Sequence, residues 1–250
     1  MGPVQETAIV VPCYNEAGRF APERFVDYCR QQPNVSFVFV DDGSADETFE
    51  VLSRTAAHAP DQMRVVRLDA NSGKAEAVRR GVIDAFRTSA ELIGFWDADL
   101  ATPLNSIQEF AKILERPTLQ MAIGSRVRLL GRNIERDGLR HYLGRGFATV
   151  AAFALRLPIY DTQCGAKIFR SNAIFKEIFS EPFELGWTFD VEMLARLARI
   201  AKRENLRLEE LVAEVPLQEW IDTPGSKLRV GHVPRIAWEV VKLFAITRRH

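Results

Sequence analysis

No run in this 250-residue sequence is long and apolar enough to span a bilayer, and there is no internal repeat or low-complexity tract. Cysteine is scarce: Cys13, Cys29 and Cys164 are odd in number, widely spaced, and never paired at metal-ligand spacing. A disulfide framework and a structural zinc site are thereby excluded, and a reducing, cytoplasmic compartment is expected. Neither charge sign is in excess, with 33 Lys plus Arg against 33 Asp plus Glu. No global field would recruit nucleic acid, so any anion site must come from local clustering. Met1 to Thr7 has no basic segment followed by an apolar run, and Glu6 stands where a myristoylation signal needs Ser or Thr. Two nucleotide loops are also missing. Gly73-Lys74 lacks the upstream Gly and the following Ser or Thr of a Walker A motif, and no Gly-x-Gly-x-x-Gly occurs.

What is present is a chain of ordinary apolar content, long enough for a substantial core, with strand and helix patterns alternating up to Ser125. Strands are expected at Ala8–Val11, Val35–Val40, Arg64–Leu68 and Leu92–Trp96. Helices are expected at Pro22–Gln31, from Ser44 to Ala57 (Ser44 and Glu47 forming a capping box), after Gly73 with Val78, Val82, Ala85 and Phe86 inward, and from Thr102 as cap with Pro103 as first residue. Such alternation implies parallel strands joined by right-handed crossovers: an α/β fold with a mostly parallel nucleotide-binding sheet flanked by helices.

Each strand in this half ends in polar chemistry on one edge: Tyr14 to Glu16, Asp41 and Asp42, Asn71 to Lys74, then Asp97 and Asp99. Open α/β sheets bind ligands at that edge. Asp97 and Asp99 end an apolar strand at alternate positions, and two such like charges imply a metal, a shared proton or a solvated turn. Acidic strand ends suit a ligand whose phosphates arrive with a divalent cation.

After Ser125 the character changes. Arg126, Arg128, Arg132, Arg136, Arg140 and Arg145 outnumber Glu135 and Asp137, giving either a solvated loop or an anion site. Leu143 to Leu157 is apolar nearly all round, which suits a buried helix or one lying in a membrane interface. A strand is expected at Cys164–Phe169, a short helix capped by Ser171, a longer helix at Phe189–Ala201, and an edge strand at Leu211–Val215. Asp222 to Gly225 is a strong turn leading to Ser226 and Lys227. Val233 to Ile246 has the spacing of an amphipathic helix with basic ends, a C-terminal helical extension.

The segments IVVPCYNE, FVDDGSADET, NSGKAEAVRRG, FWDADLATP and GSR, in this order, resemble an inverting glycosyltransferase of family 2 with the glycosyltransferase A fold. DTQCGAKIFR, WTFDVEML and GSKL add a likeness to the polyprenyl-phosphate glycosyltransferases within it. One departure is Ala75, where the family usually has a second Gly after Lys74. The resemblance implies a single domain, with residues 1–125 as a nucleotide-sugar-binding half, 126–230 as an acceptor-side half and 231–250 as the amphipathic helix. It also implies Pro12, Tyr14, Glu16, Asp42, Lys74, Asp97, Ala98 and Arg126 around the donor, and Mg²⁺ or Mn²⁺ on Asp97 and Asp99. Arg140, Arg145, Trp187 and Lys227 fall on the acceptor side, and Asp99 and Asp190 are the catalytic candidates. Asp190 is open between a base for a sugar hydroxyl and an acceptor-site residue, because a lipid phosphate is already anionic near neutral pH. The implied reaction moves a hexose, glucose foremost, from a UDP-sugar to a dolichyl or undecaprenyl phosphate at the inner face of a membrane, with peripheral attachment. A hydroxyl acceptor and a non-catalytic nucleotide-sugar-binding module are the alternatives.

Overall fold

The computed structural model describes residues 5–135, 159–221 and 242. The first half follows the alternation: β1 (Thr7–Cys13), α1 (Pro22–Gln31), β2 (Val35–Asp41), α2 (Thr48–Ala56), β3 (Met63–Arg67), α3 (Lys74–Ala85), β4 (Leu92–Trp96), α4 (Ser106–Ile113) and β5 (Met121–Ser125). The second contributes β6 (Asn133–Glu135), β7 (Ala166–Arg170), α5 (Ala173–Ser180), α6 (Phe189–Arg203), α7 (Leu208–Leu211), β8 (Val212–Pro216) and β9 (Glu219–Ile221).

Seven strands form one sheet in the order β3-β2-β1-β4-β7-β5-β8, and β6 and β9 form a parallel pair of their own. Successive side chains of a strand point to opposite faces, so β1 alternates between two cores. Ala8 and Val10 join Val38, Val78, Val82, Phe95 and Phe189 on the face covered by α3, α5 and α6. Ile9 and Val11 join Phe25, Phe39, Leu52, Trp96 and Phe110 under α1, α2 and α4. Leu92 to Trp96 is buried throughout, as a central strand covered on both faces must be.

The sheet is mostly parallel, as expected, and the one strand that differs from the rest in direction lies inside it. β7 runs antiparallel to both neighbours and lies between β4 and β5, pairing Trp96 with Ala166 and Ile123 with Lys167. Its beginning therefore meets the edge where β4 ends. Three helix starts also differ. Glu47 rather than Ser44 precedes α2, and the Ser44 hydroxyl accepts from the Asn15 N–H instead. Asn105 rather than Thr102 precedes α4, and the Thr102 carbonyl accepts from the Trp96 indole N–H at 2.9 Å. Asn172 rather than Ser171 caps α5, accepting from the Phe175 N–H. The apolar stretch Leu143–Leu157, the Asp222–Gly225 turn and the Val233–Ile246 helix lie outside the described residues, except for Lys242.

Candidate functional site

The carboxyl ends of β1, β2 and β4 and the start of β7 converge on one edge. Asp97 and Asp99 follow β4 there, in a loop whose Leu100 sits in the left-handed region at φ 52°, a costly conformation for a leucine. The loop is over-determined. The Leu100 N–H donates to the Asp97 carbonyl at 3.2 Å, the Ala101 N–H to Asp99 Oδ1 at 3.1 Å, and the Ile221 N–H to the Ala101 carbonyl at 3.1 Å. Strain held by surrounding bonds in this way is characteristic of functional loops. Ala98, between the two carboxylates, is buried.

Gly165 faces this pair. It immediately precedes β7, and since Ala166 is paired with Trp96, the residue before one meets the residue after the other. A Cβ built on Gly165 would fall on the Asp97 carboxylate. Sequence reasoning missed this glycine, although its place inside DTQCGAKIFR was the available signal.

Lys74 opens α3 and donates to Asp97 Oδ1 at 2.5 Å. A cation at a helix N-terminus opposes the helix dipole, so its neighbours must supply the compensation. Burial alone would lower the Lys74 ammonium pKa, but Asp97, Asp190 and Asp99 outweigh it and the net shift is upward. Asp99 is pushed above its ordinary value, first by burial and then by Asp97, against the Ala101 N–H, Lys74 and Arg19. Arg19 is raised chiefly by its hydrogen bond to Glu16, against the opposing effect of burial, and Asp99 and Asp97 add to the rise.

Asp42, expected at the base or ribose, is buried and fully engaged. Its two carboxylate oxygens accept from the Ser72 and Gly73 N–H groups, both at 2.8 Å. These bonds hold the turn before α3, where Gly73 adopts φ 89°, and so aim Lys74 at Asp97. Burial raises the Asp42 carboxyl, with the two N–H groups opposing. Glu16 is likewise buried and pairs with Arg19, while its N–H donates to the Thr48 hydroxyl at 2.8 Å. Pro12 and Tyr14 are half-buried beside this turn. In Arg126 the structure places a bidentate partner of Asp161, at 2.6 and 2.7 Å, with the guanidinium 5.5 Å over the Trp220 ring. The Asp161 N–H in turn donates to Glu214 at 2.9 Å. Arg126 thus ties β5 to the segment preceding β7 and to β9.

Asp190 lies in the first turn of α6 and is buried against Lys167, whose Nζ donates to Asp190 Oδ1 at 2.6 Å and to the Cys164 carbonyl at 2.5 Å. Lys167 is 0% exposed, and its ammonium also lies 5.2 Å over the Phe95 ring. A fully buried lysine is rare unless paired, and nothing in the AKIFR strand pattern marked it. Trp187, two residues before α6, is exposed. Arg140, Arg145 and Lys227 lie outside the described residues.

Among the described residues no group of three or more His, Cys, Asp or Glu side chains could hold a metal. Two carboxylates suffice for Mg²⁺ or Mn²⁺ when phosphates and water supply the remaining ligands. Two carboxylates at alternate positions after β4, with the Lys74 ammonium already drawn to Asp97, are a donor set that fits such an ion.

Residues 8–179 match the family described as "Glycosyl transferase family 2". The chain is 33% identical to a dolichyl-phosphate beta-glucosyltransferase of Trichomonas vaginalis, over 95% of this chain and 70% of that protein. It is 34% identical to the dolichyl-phosphate beta-glucosyltransferase of Mus musculus, over 94% of this chain and 72% of that one. Among solved structures, glucosyl-3-phosphoglycerate synthase from Mycobacterium tuberculosis, in complex with Mn²⁺ and UDP-glucose, superposes with a TM-score of 0.66 at 18% identity, covering 96% of this chain and 77% of that one.

Proposed function

This chain belongs to glycosyltransferase family 2 and has the glycosyltransferase A fold, and we propose that it moves glucose from UDP-glucose to a polyprenyl phosphate with inversion. The reading rests on one observation: the Asp97/Asp99 pair stands at the end of a buried central strand with a lysine already drawn to it. The similarity to dolichyl-phosphate beta-glucosyltransferases, over 95% and 94% of this chain, supports the choice of donor and acceptor.

In this scheme Asp97 and Asp99 would hold Mg²⁺ or Mn²⁺, which would supply positive charge to stabilise the leaving diphosphate. Pro12, Tyr14 and Glu16 border the nucleoside, and Asp42 and Arg126 act by fixing the loops around it. Trp187, with Arg140, Arg145 and Lys227, receives the acceptor. Asp190 serves the acceptor side as a fixed charge. Its carboxylate is held by Lys167, and a phosphate needs no base because it arrives ionised. A polyprenyl phosphate resides in a bilayer, and no helix among the described residues is long and apolar enough to cross one. Peripheral attachment through the arginine-rich stretch and the tail would meet this need.

The test is a screen of UDP- and GDP-hexoses against polyprenyl phosphate, with and without Mg²⁺ or Mn²⁺, read by product mass. A glucosylated lipid phosphate formed only with metal is expected. Full turnover in excess chelator would overturn the metal assignment, and product on a soluble hydroxyl acceptor alone would overturn the lipid.

A further inference from the structure

Among the described residues five large apolar side chains are exposed, and only two of them are neighbours in the chain: Leu129 at 48% and Leu130 at 105%. A scattered leucine such as Leu206 needs no explanation, because folded proteins expose much apolar surface. Leu129 and Leu130 are different, since a built turn presents them. The Arg132 N–H donates to the Leu129 carbonyl at 3.1 Å, and Gly131 supplies φ 81° at the third position of the turn, a conformation that favours a residue without a Cβ. Leu130 thus stands at a corner where Gly, Pro, Asn, Asp and Ser are the usual residues. The exposed Arg128 and the half-buried Arg132 flank the pair, and no acidic residue falls between Ser125 and Asn133.

We infer that the Leu129–Leu130 turn is a bilayer-docking tip, which seats its two leucines below the headgroups of an anionic membrane while Arg128 and Arg132 meet the phosphates. Its place in the reaction rests on the reading that the acceptor is a lipid phosphate. Apolar side chains flanked by basic ones suit such an interface, because the leucines gain by leaving water and the cations by approaching anionic headgroups. The position of the tip agrees with this use. It leads directly into β6, which pairs in parallel with β9, and the Ile221 N–H at the end of β9 donates to the Ala101 carbonyl, two residues past Asp99, at 3.1 Å. A strand of three residues rises roughly 10 Å, so one short strand separates the tip from the Asp97/Asp99 loop. The ribbon is also anchored, since Trp220 of β9 lies under the Arg126 guanidinium. A lipid phosphate stays near headgroup level, and a docking surface this close to the donor site lets it meet the sugar there.

The experiment uses the full chain with Leu130→Cys carrying a nitroxide label. The three native cysteines are buried and position 130 faces solvent, so the label reports one place without disturbing the core. Its collisions with oxygen and with a water-soluble nickel chelate are read by electron paramagnetic resonance, with and without vesicles of equal parts phosphatidylcholine and phosphatidylglycerol at low salt. Vesicles should lower the access of nickel severalfold and raise that of oxygen, whereas a label on Leu206→Cys should stay in water. Leu129→Ser/Leu130→Ser should bind the vesicles roughly tenfold more weakly than the wild type. A label at position 130 that nickel reaches equally with and without vesicles would overturn the inference. So would a label shielded before any vesicle is added, which would mean that the chain itself covers the tip. Equal insertion into phosphatidylcholine alone would overturn the anionic partner. A product assay separates the two levels. If the label inserts and only a soluble hydroxyl is glucosylated, the lipid reading fails and the tip stands; if lipid phosphate is glucosylated with the label in water, the tip alone fails.

Discussion

Replacing Lys167 by Met tests the buried part of the site most directly. Methionine keeps an unbranched apolar stem but removes the ammonium that lies over the Phe95 ring, so the change isolates a charge more than a volume. The ammonium donates to Asp190 at 2.6 Å and to the Cys164 carbonyl at 2.5 Å, with Lys167 0% and Asp190 4% exposed. Removing one member of a buried ion pair leaves the other as an uncompensated charge, at a cost of about 3–5 kcal/mol. At roughly 2–4 °C per kcal/mol for a chain of this size, the midpoint of thermal unfolding should fall by about 6–20 °C. Lys167→Met/Asp190→Leu removes both charges and should recover most of the loss, because an apolar pair avoids the desolvation penalty. The double variant should still lack transferase activity, since stability and the acceptor-side charge are separate uses of Asp190. The assay is a double-mutant cycle in thermal and urea unfolding. A loss below roughly 1 kcal/mol in Lys167→Met, the value of an exposed pair, would refute the description of Lys167 and Asp190 as a dry, mutually dependent pair.

Gly165→Ala should abolish metal-dependent turnover by driving a methyl group into the Asp97 carboxylate, and calorimetry should show weakened binding of UDP with Mn²⁺; wild-type affinity would mean the loop yields. Arg126→Lys cannot reproduce the fork on Asp161 and should cost about 1–2 kcal/mol in urea unfolding. Burial pushes the thiols of Cys29 and Cys164 up to about 11, and Cys13 is buried too, so an aromatic disulfide reagent at pH 8 should find no reactive thiol in the native protein and three after denaturation. A fast-reacting Cys164 would reopen a covalent route that direct inversion does not need.

Most of the first half was legible because its signals are local. A buried strand of Leu92 to Trp96 broken by Asp97, or Pro22 at the head of a helix, is written in neighbouring residues. Helix starts were harder where a side chain had a distant competitor. Ser44 could cap α2 on sequence grounds, yet its hydroxyl serves Asn15 across 29 residues of chain. Asp42 was placed at the site for the right edge, while its bonds to Ser72 and Gly73 depend on a turn 30 residues away. Gly165 and Lys167 were invisible for the same reason. Their significance follows from the antiparallel pairing of β7 with β4, and pairing partners cannot be read from a strand's own sequence.

That antiparallel strand also governs the order in which the chain can fold during synthesis. β5 bonds only to β7 and β8, so when residue 125 has left the ribosome its strand has no partner, and the β4 side facing β7 is open as well. The helices of the first half can form early from local contacts, but the sheet cannot close at its centre until residue 170 has emerged and turned back between two strands made before it. Over that interval Leu92 to Trp96 presents an apolar edge able to pair with other chains. The chain is then most exposed to misassembly between the emergence of residue 125 and that of residue 170. A polypeptide ended after Ser125 would carry Asp97 and Asp99 and still lack the strand whose start packs against Asp97.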